Sequence, residues 1–251
     1  MTSPRTPKVV CTLPTYNEAE NVLPLARALL ALGENFQVLV IDDNSPDGTW
    51  KLVAEAAERE PRLHLLHRTT DKGRGAAGRA GFVRALEMGA DVVVEMDADF
   101  SHQPHFVPRM IERLERSGPG IGPQVGLVLG SRAVHGGSDA ERGPLRRLIT
   151  FFANLYIRIV LGVPVRDCNS GFRCWRRSTL EAIRVSESFS KGPAIVQELL
   201  FKTARAKIGI AEVGIEFIER QRGQSTLTLR ILIRGYTTVL QLRWMALRGK
   251  L

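Results

Sequence analysis

Four short apolar runs separated by helical segments fill the first hundred residues. This alternation restricts the fold more than any other feature of the chain. Residues 8–13 read as a β-rich run ended by Pro14, and residues 17–32 place Val22, Leu25, Ala26 and Leu29 at helical spacing before stopping at Gly33. Residues 36–41 are continuously apolar, the pattern of a parallel strand buried on both faces. Asp42 to Thr49 is turn-rich and its last residues can cap a helix over 50–60. A strand over 63–66, a Gly-rich loop and helix over 72–88, and a strand over 92–96 follow. The expected fold is α/β, a Rossmann-like, doubly wound, mainly parallel sheet with right-handed crossovers.

The second half predicts a helix over 103–117, a strand over 125–129, a loop over 136–142 and a basic amphipathic helix over 146–161. Residues 167–175 precede another helix, residues 194–207 read as helical, and a strand is expected over 214–219. The tail, 227–248, is apolar and basic at helical spacing. With no internal repeat or long linker, the 251 residues divide into one domain over 1–226 and a basic amphipathic C-terminal helix over 227–251.

Ligands of open α/β sheets bind beyond the carboxyl ends of the strands. Three strand ends carry polar chemistry there: Thr15-Tyr16-Asn17-Glu18, Asp42-Asp43 and Asp97-Ala98-Asp99. Two carboxylates one residue apart at a strand end suit Mg²⁺ or Mn²⁺, hard cations that complete their shells with water and substrate phosphate. The formal charge of +9 points to an anionic partner. Arg132, Arg146, Arg147, Arg173, Arg220 and Arg222 stand at loop junctions, where the planar guanidinium matches phosphate oxygens. Nucleic acid is disfavoured, because aromatic residues make up only 6% and stacking platforms are missing.

Other classes lack their signatures. The glycines at 73, 75, 78 and 81 follow the third strand, not the first, so they are no dinucleotide fingerprint. There is no P-loop, no histidine pattern for zinc and no G-x-S-x-G elbow. Cys11, Cys168 and Cys174 read as reduced thiols of a cytosolic protein. Neither a signal peptide nor an apolar run of the roughly 18–20 residues that span a bilayer is expected.

The blocks Pro14-Thr15-Tyr16-Asn17-Glu18, Asp42 to Thr49, Asp97 to His102, Gly130-Ser131-Arg132 and Ser170-Gly171-Phe172-Arg173 resemble, in order, those of family 2 glycosyltransferases. Within that family they are most similar to dolichyl- or polyprenyl-phosphate mannosyltransferases, over about residues 9–225. The resemblance implies the nucleotide-sugar transferase A-type fold and transfer of a sugar from a nucleotide sugar, GDP-mannose, to a polyprenyl phosphate lipid. It implies a donor site of Pro14, Tyr16, Glu18, Ile41 and Asp43, with Asp97, Ala98 and Asp99 holding the diphosphate through Mg²⁺ or Mn²⁺ and Ser101 as an extra ligand. Arg132 and Arg220 would contact donor phosphate or sugar, and Arg146 and Thr150 would grip the acceptor phosphate.

Two positions depart from that pattern. Thr226 stands where relatives commonly carry Lys, and Ala133 where they usually carry an aromatic. The expected enzyme works peripherally at the cytoplasmic face of a membrane, through the 146–161 helix, the tail or a membrane-protein partner. A transferase using UDP-glucose, UDP-GlcNAc or another acceptor is an alternative, and so is a non-catalytic nucleotide-sugar-binding protein.

Overall fold

The computed structural model describes residues 6–118, 124–140, 143–218, 229–249 and 251, with 229–234 as backbone alone. The expected first half is present: β1 (Val9–Thr15), α1 (Val22–Leu30), β2 (Phe36–Asp42), α2 (Thr49–Ala57), β3 (Leu63–His67), α3 (Arg74–Glu87) and β4 (Val92–Glu95). Pro14 lies inside β1, which continues to Thr15. After α4 (Val107–Glu115) come β5 (Val125–Ser131), α5 (Pro144–Leu161), β6 (Arg173–Arg176), α6 (Arg177–Ala182), α7 (Ile195–Arg205), β7 (Gly209–Gly214) and α8 (Leu229–Leu247).

The sheet order is β3-β2-β1-β4-β6-β5-β7. β1 pairs in parallel with β2 on one side and β4 on the other, so the order reverses between β1 and β4. That reversal opens the crevice at which such sheets bind ligands. β6, not foreseen as a strand, runs antiparallel between β4 and β5. β7 begins five residues before the expected strand, and Phe217 makes only an isolated bridge to His102.

Successive strand residues point to opposite faces, and each face builds its own core. Val9, Cys11 and Leu13 pack with α1 and α4 on one side, while Val10, Leu39 and Ile41 pack with α3 and α7 on the other. The second layer also takes in Ile157 and Leu161 of α5 and Val239 and Leu242 of α8. Tyr156 seals this junction by donating its hydroxyl to the Tyr236 carbonyl at 3.1 Å. The C-terminal helix is thus packed on the domain through one face.

Candidate functional site

The turn-rich block after β2 is a lattice of side-chain caps. Buried Asp42 accepts the Ser45 N–H at 2.8 Å and hydroxyl at 2.6 Å, and the Thr15 hydroxyl at 3.0 Å. Asp47 accepts the Thr49 N–H and hydroxyl at 2.9 and 2.6 Å and the Ala19 N–H at 3.1 Å. Ser45 and Thr49 then accept the backbone N–H groups of Asn17 and Glu18. Short polar side chains compete effectively for backbone partners in turns. Here they fix the β1 loop to the β2 loop, with Tyr16 58% exposed at the edge.

Two expected donor contacts are committed elsewhere. Ile41 is fully buried against α3, where a Cβ on Gly81 would come within 2.8 Å of it, so its side chain belongs to the core. Asp43 is buried too, with Arg68 at 2.5 Å and the Gly73 N–H at 2.6 Å. It holds the entry to α3 and presents no free carboxylate. Gly75 explains the glycine cluster: a Cβ there would clash at 2.2 Å with the Ser190 carbonyl, and its N–H donates to the Lys191 carbonyl at 2.8 Å. These glycines serve close packing.

Asp97 and Asp99 stand on the loop leaving β4, at the β1–β4 switch point. The Asp97 side chain is 40% exposed, and its Oδ1 lies 3.3 Å from Arg74. Asp99 is buried, 8% exposed, and accepts the Ser101 N–H at 3.0 Å and hydroxyl at 2.6 Å on Oδ1. Ser101, expected as a metal ligand, is itself 3% exposed and orients Asp99. Ala98 is buried beside them. Beneath the pair His102 stacks on Phe172 at 5.2 Å, and burial pushes its imidazole below the ordinary value despite the charges of Asp97 and Asp99, keeping it neutral. Among the described residues no group of three or more His, Cys, Asp or Glu could hold a metal ion. Two carboxylates still fit Mg²⁺ or Mn²⁺ where a phosphate completes the shell.

Arg132 is not a free phosphate fork. It grips Asp167 in a bidentate pair, Nε to Oδ2 at 2.7 Å and Nη2 to Oδ1 at 2.8 Å, both side chains largely buried. Burial alone would raise the Asp167 pKa, but the bonds and charge of Arg132 lower it. Arg173 is also a correction, being wholly buried and donating to the carbonyls of Ser170, Val196 and Cys168. Burial pushes its pKa down to about 10, still well above neutrality. It secures the 168–173 loop and the start of α7. Arg220, Arg222 and Thr226 lie outside the described residues.

A cavity of about 740 Å³ opens between the Arg132–Asp167 pair and α5. Arg147, Thr150, Asn154 and Arg158 line it, spaced to form one helix stripe, and Arg166 joins them. Thr150 is where the acceptor site was expected, although its hydroxyl donates to the Arg146 carbonyl at 2.9 Å. Arg146 itself is exposed and does not line the cavity. Arg158 and Arg166 escaped the sequence reading; the spacing of Arg147 to Arg158 was the signal available for the first. Along the same helix Leu145, Leu148, Phe151, Phe152 and Ile159 are 71, 53, 61, 57 and 72% exposed.

The strand-end acids at the switch point and the order of the capping blocks agree with a family comparison. Residues 11–184 match the model of glycosyl transferase family 2. The chain belongs to glycosyl transferase family 2. It is 41% identical over 249 residues to the undecaprenyl-phosphate mannosyltransferase of Micrococcus luteus, covering 97% of this chain and 99% of that one. It is 38% identical over 225 residues to the polyprenol monophosphomannose synthase of Mycolicibacterium smegmatis, covering 89% and 82%. This family 2 glycosyltransferase also shares its fold with glucosyl-3-phosphoglycerate synthase of Mycobacterium tuberculosis, crystallised with Mn²⁺, UDP-glucose and phosphoglyceric acid. There the TM-score is 0.67 at 21% identity, over 94% of this chain and 79% of that one. The A-type nucleotide-sugar transferase fold is therefore as expected.

Proposed function

We propose that this enzyme transfers a mannosyl group from GDP-mannose to a polyprenyl phosphate, with inversion at the anomeric carbon. One observation carries the acceptor reading: a cavity lined by Arg147, Arg158 and Arg166 lies against a helix whose outer face is apolar. A phosphate head with an isoprenoid tail matches that pairing of basic pocket and apolar ridge. The relatives named for undecaprenyl-phosphate and polyprenol mannosyl transfer support it.

The donor would lie over the β1–β4 crevice, its nucleotide beside Tyr16 and Glu18 and its diphosphate beside Asp97 and Asp99, which would hold Mg²⁺ or Mn²⁺. Bound there, the ion neutralises charge developing on the departing nucleoside diphosphate. Ser101 keeps Asp99 oriented through its N–H and hydroxyl. An acceptor phosphate is anionic at neutral pH, so attack needs alignment more than a general base. Arg147, Arg158 and Arg166 would fix the acceptor oxygens, with Thr150 alongside. Arg132, held by Asp167, would add positive potential between the two subsites, and Arg220 keeps its proposed donor contact. Residues 1–226 would form the catalytic domain and 227–251 a membrane-surface helix.

No helix among the described residues is long and apolar enough to cross a membrane. Contact through α5 with the cytoplasmic face fits an interfacial helix carrying Arg on its flanks. Thermal unfolding with Mn²⁺ and a panel of GDP- and UDP-sugars tests the donor through linkage. GDP-mannose should give the largest rise in melting temperature. A larger rise with UDP-glucose or UDP-GlcNAc would transfer the assignment to the alternative donor.

A further inference from the structure

Arg74, the first residue of α3, is a cation beside the acid pair to which the donor reading gives no role. Its Nη1 lies 3.0 Å from Glu95 Oε1 and its Nη2 3.3 Å from Asp97 Oδ1. Glu95 is 1% exposed, and its Oε2 has no hydrogen-bond partner among the described residues. Releasing Arg74 would strand that buried carboxylate, which is costly. The guanidinium is therefore anchored at its inner end by Glu95 and lies across Asp97 at its outer end. The Gly73 N–H on Asp43 and the Gly75 N–H on the Lys191 carbonyl fix the backbone from which Arg74 extends.

Glu95, Asp97 and Asp99 bring three carboxylates to the end of β4, and Arg74 pairs with the first two. Resting on the metal reading of Asp97 and Asp99, we infer that Arg74 is a positioning residue that makes divalent-cation binding conditional on the nucleotide. It orients Asp97 by one oxygen, and its fixed charge weakens the pair's hold on a bare cation. A nucleoside diphosphate supplies the missing oxygens and negative charge, so cation and nucleotide bind cooperatively, each raising the other's affinity by the same factor. A purely structural Arg74 would not set that factor.

Mn²⁺ titration of the whole chain, followed by electron paramagnetic resonance with and without GDP, measures it. The wild type should bind Mn²⁺ weakly alone and at least about tenfold more tightly with GDP. Arg74→Met should tighten binding of Mn²⁺ alone by roughly tenfold and lose most of the coupling, while Arg74→Lys, which keeps the charge, should behave like the wild type. The double variant R74M/E95Q removes the stranded carboxylate and reads the same quantity if R74M unfolds. Unchanged Mn²⁺ affinity in R74M or the double variant, with coupling intact, overturns the inference while the metal site stands. Failure of the wild type to bind Mn²⁺ even with GDP overturns the metal site itself.

Discussion

Asp99 and Asp167 are both buried carboxylates, yet their partners give them different tasks. Asp99 takes both bonds of Ser101, which hold its Oδ1 in one orientation. Asp99→Asn should lower transfer by about 10²–10³-fold, the usual loss when a group stabilising transition-state charge is removed. Circular dichroism of the variant should remain that of the wild type; near-normal turnover would remove Asp99 from the chemistry. Asp167 is satisfied by Arg132, so Asp167→Asn strands a buried guanidinium and should cost about 3–5 kcal/mol in urea unfolding. Its folded pKa is depressed, so this stabilisation is complete above the unfolded value of roughly 3.9 and is lost as pH falls through the lower folded value. The variant should therefore show a shallower loss of stability below about pH 4 than the wild type; parallel acid limbs would contradict the pairing.

The cysteines make a third residue-scale case. Burial pushes the thiols of Cys11 and Cys168 up to about 12 and raises Cys174 as well. Reactivity follows the thiolate. Maleimide labelling should thus be slow in the native protein and complete in denaturant, and rapid native labelling would show that these positions open.

Among the elements, α5 has the most unusual exposure. Of its eighteen residues only Asn154, Ile157 and Leu161 are buried, while its ends and outer face expose large apolar side chains. Apolar groups of this size gain from removal from water, and flanking Arg residues gain from anionic lipid. Replacing Phe151 and Ile159 together by Glu should abolish flotation with anionic liposomes at low salt while leaving thermal stability nearly unchanged. Continued flotation would place the membrane contact elsewhere, on the outer face of α8 where Leu240, Trp244 and Leu247 are exposed.

Elements with strong local signals were legible before the structure. β1 to β4 and the helices between them have apolar runs or helical spacing bounded by Gly, Pro and Asp. β6 was not, because four residues containing two arginines carry no alternating pattern, and its pairing comes from distant strands. β7 was misplaced because Gly209–Gly214 holds an internal glutamate, while the following apolar residues beyond the strand drew attention. The acid pair was legible as a strand-end feature. The buried partners of Arg132 and Asp43 were not legible, because Asp167 and Arg68 lie 35 and 25 residues away, and Arg173 is taken up by loop carbonyls 3–23 residues away. For Arg132 and Asp43 the sequence shows a charge but not its distant counter-charge.

At the scale of the molecule, the sheet reversal sets the acid pair at the β1–β4 crevice, while Arg132 lines the basic cavity beside α5. Both cores lie behind this edge, so loops carry the site and strands hold it, as in open α/β sheets. α8 closes the layer behind α5 and leaves the apolar ridge facing outward. On the proposed reading, a nucleotide sugar and a lipid phosphate would meet beside Asp97 and Asp99. Incubating the purified protein with Mn²⁺, GDP-[³H]mannose and a short polyprenyl phosphate tests this most directly. The account predicts an organic-phase, acid-labile mannolipid made by the wild type and absent with Asp99→Asn. Wild-type protein that yields no mannolipid here, yet transfers sugar from a UDP donor or to a soluble acceptor, would contradict it.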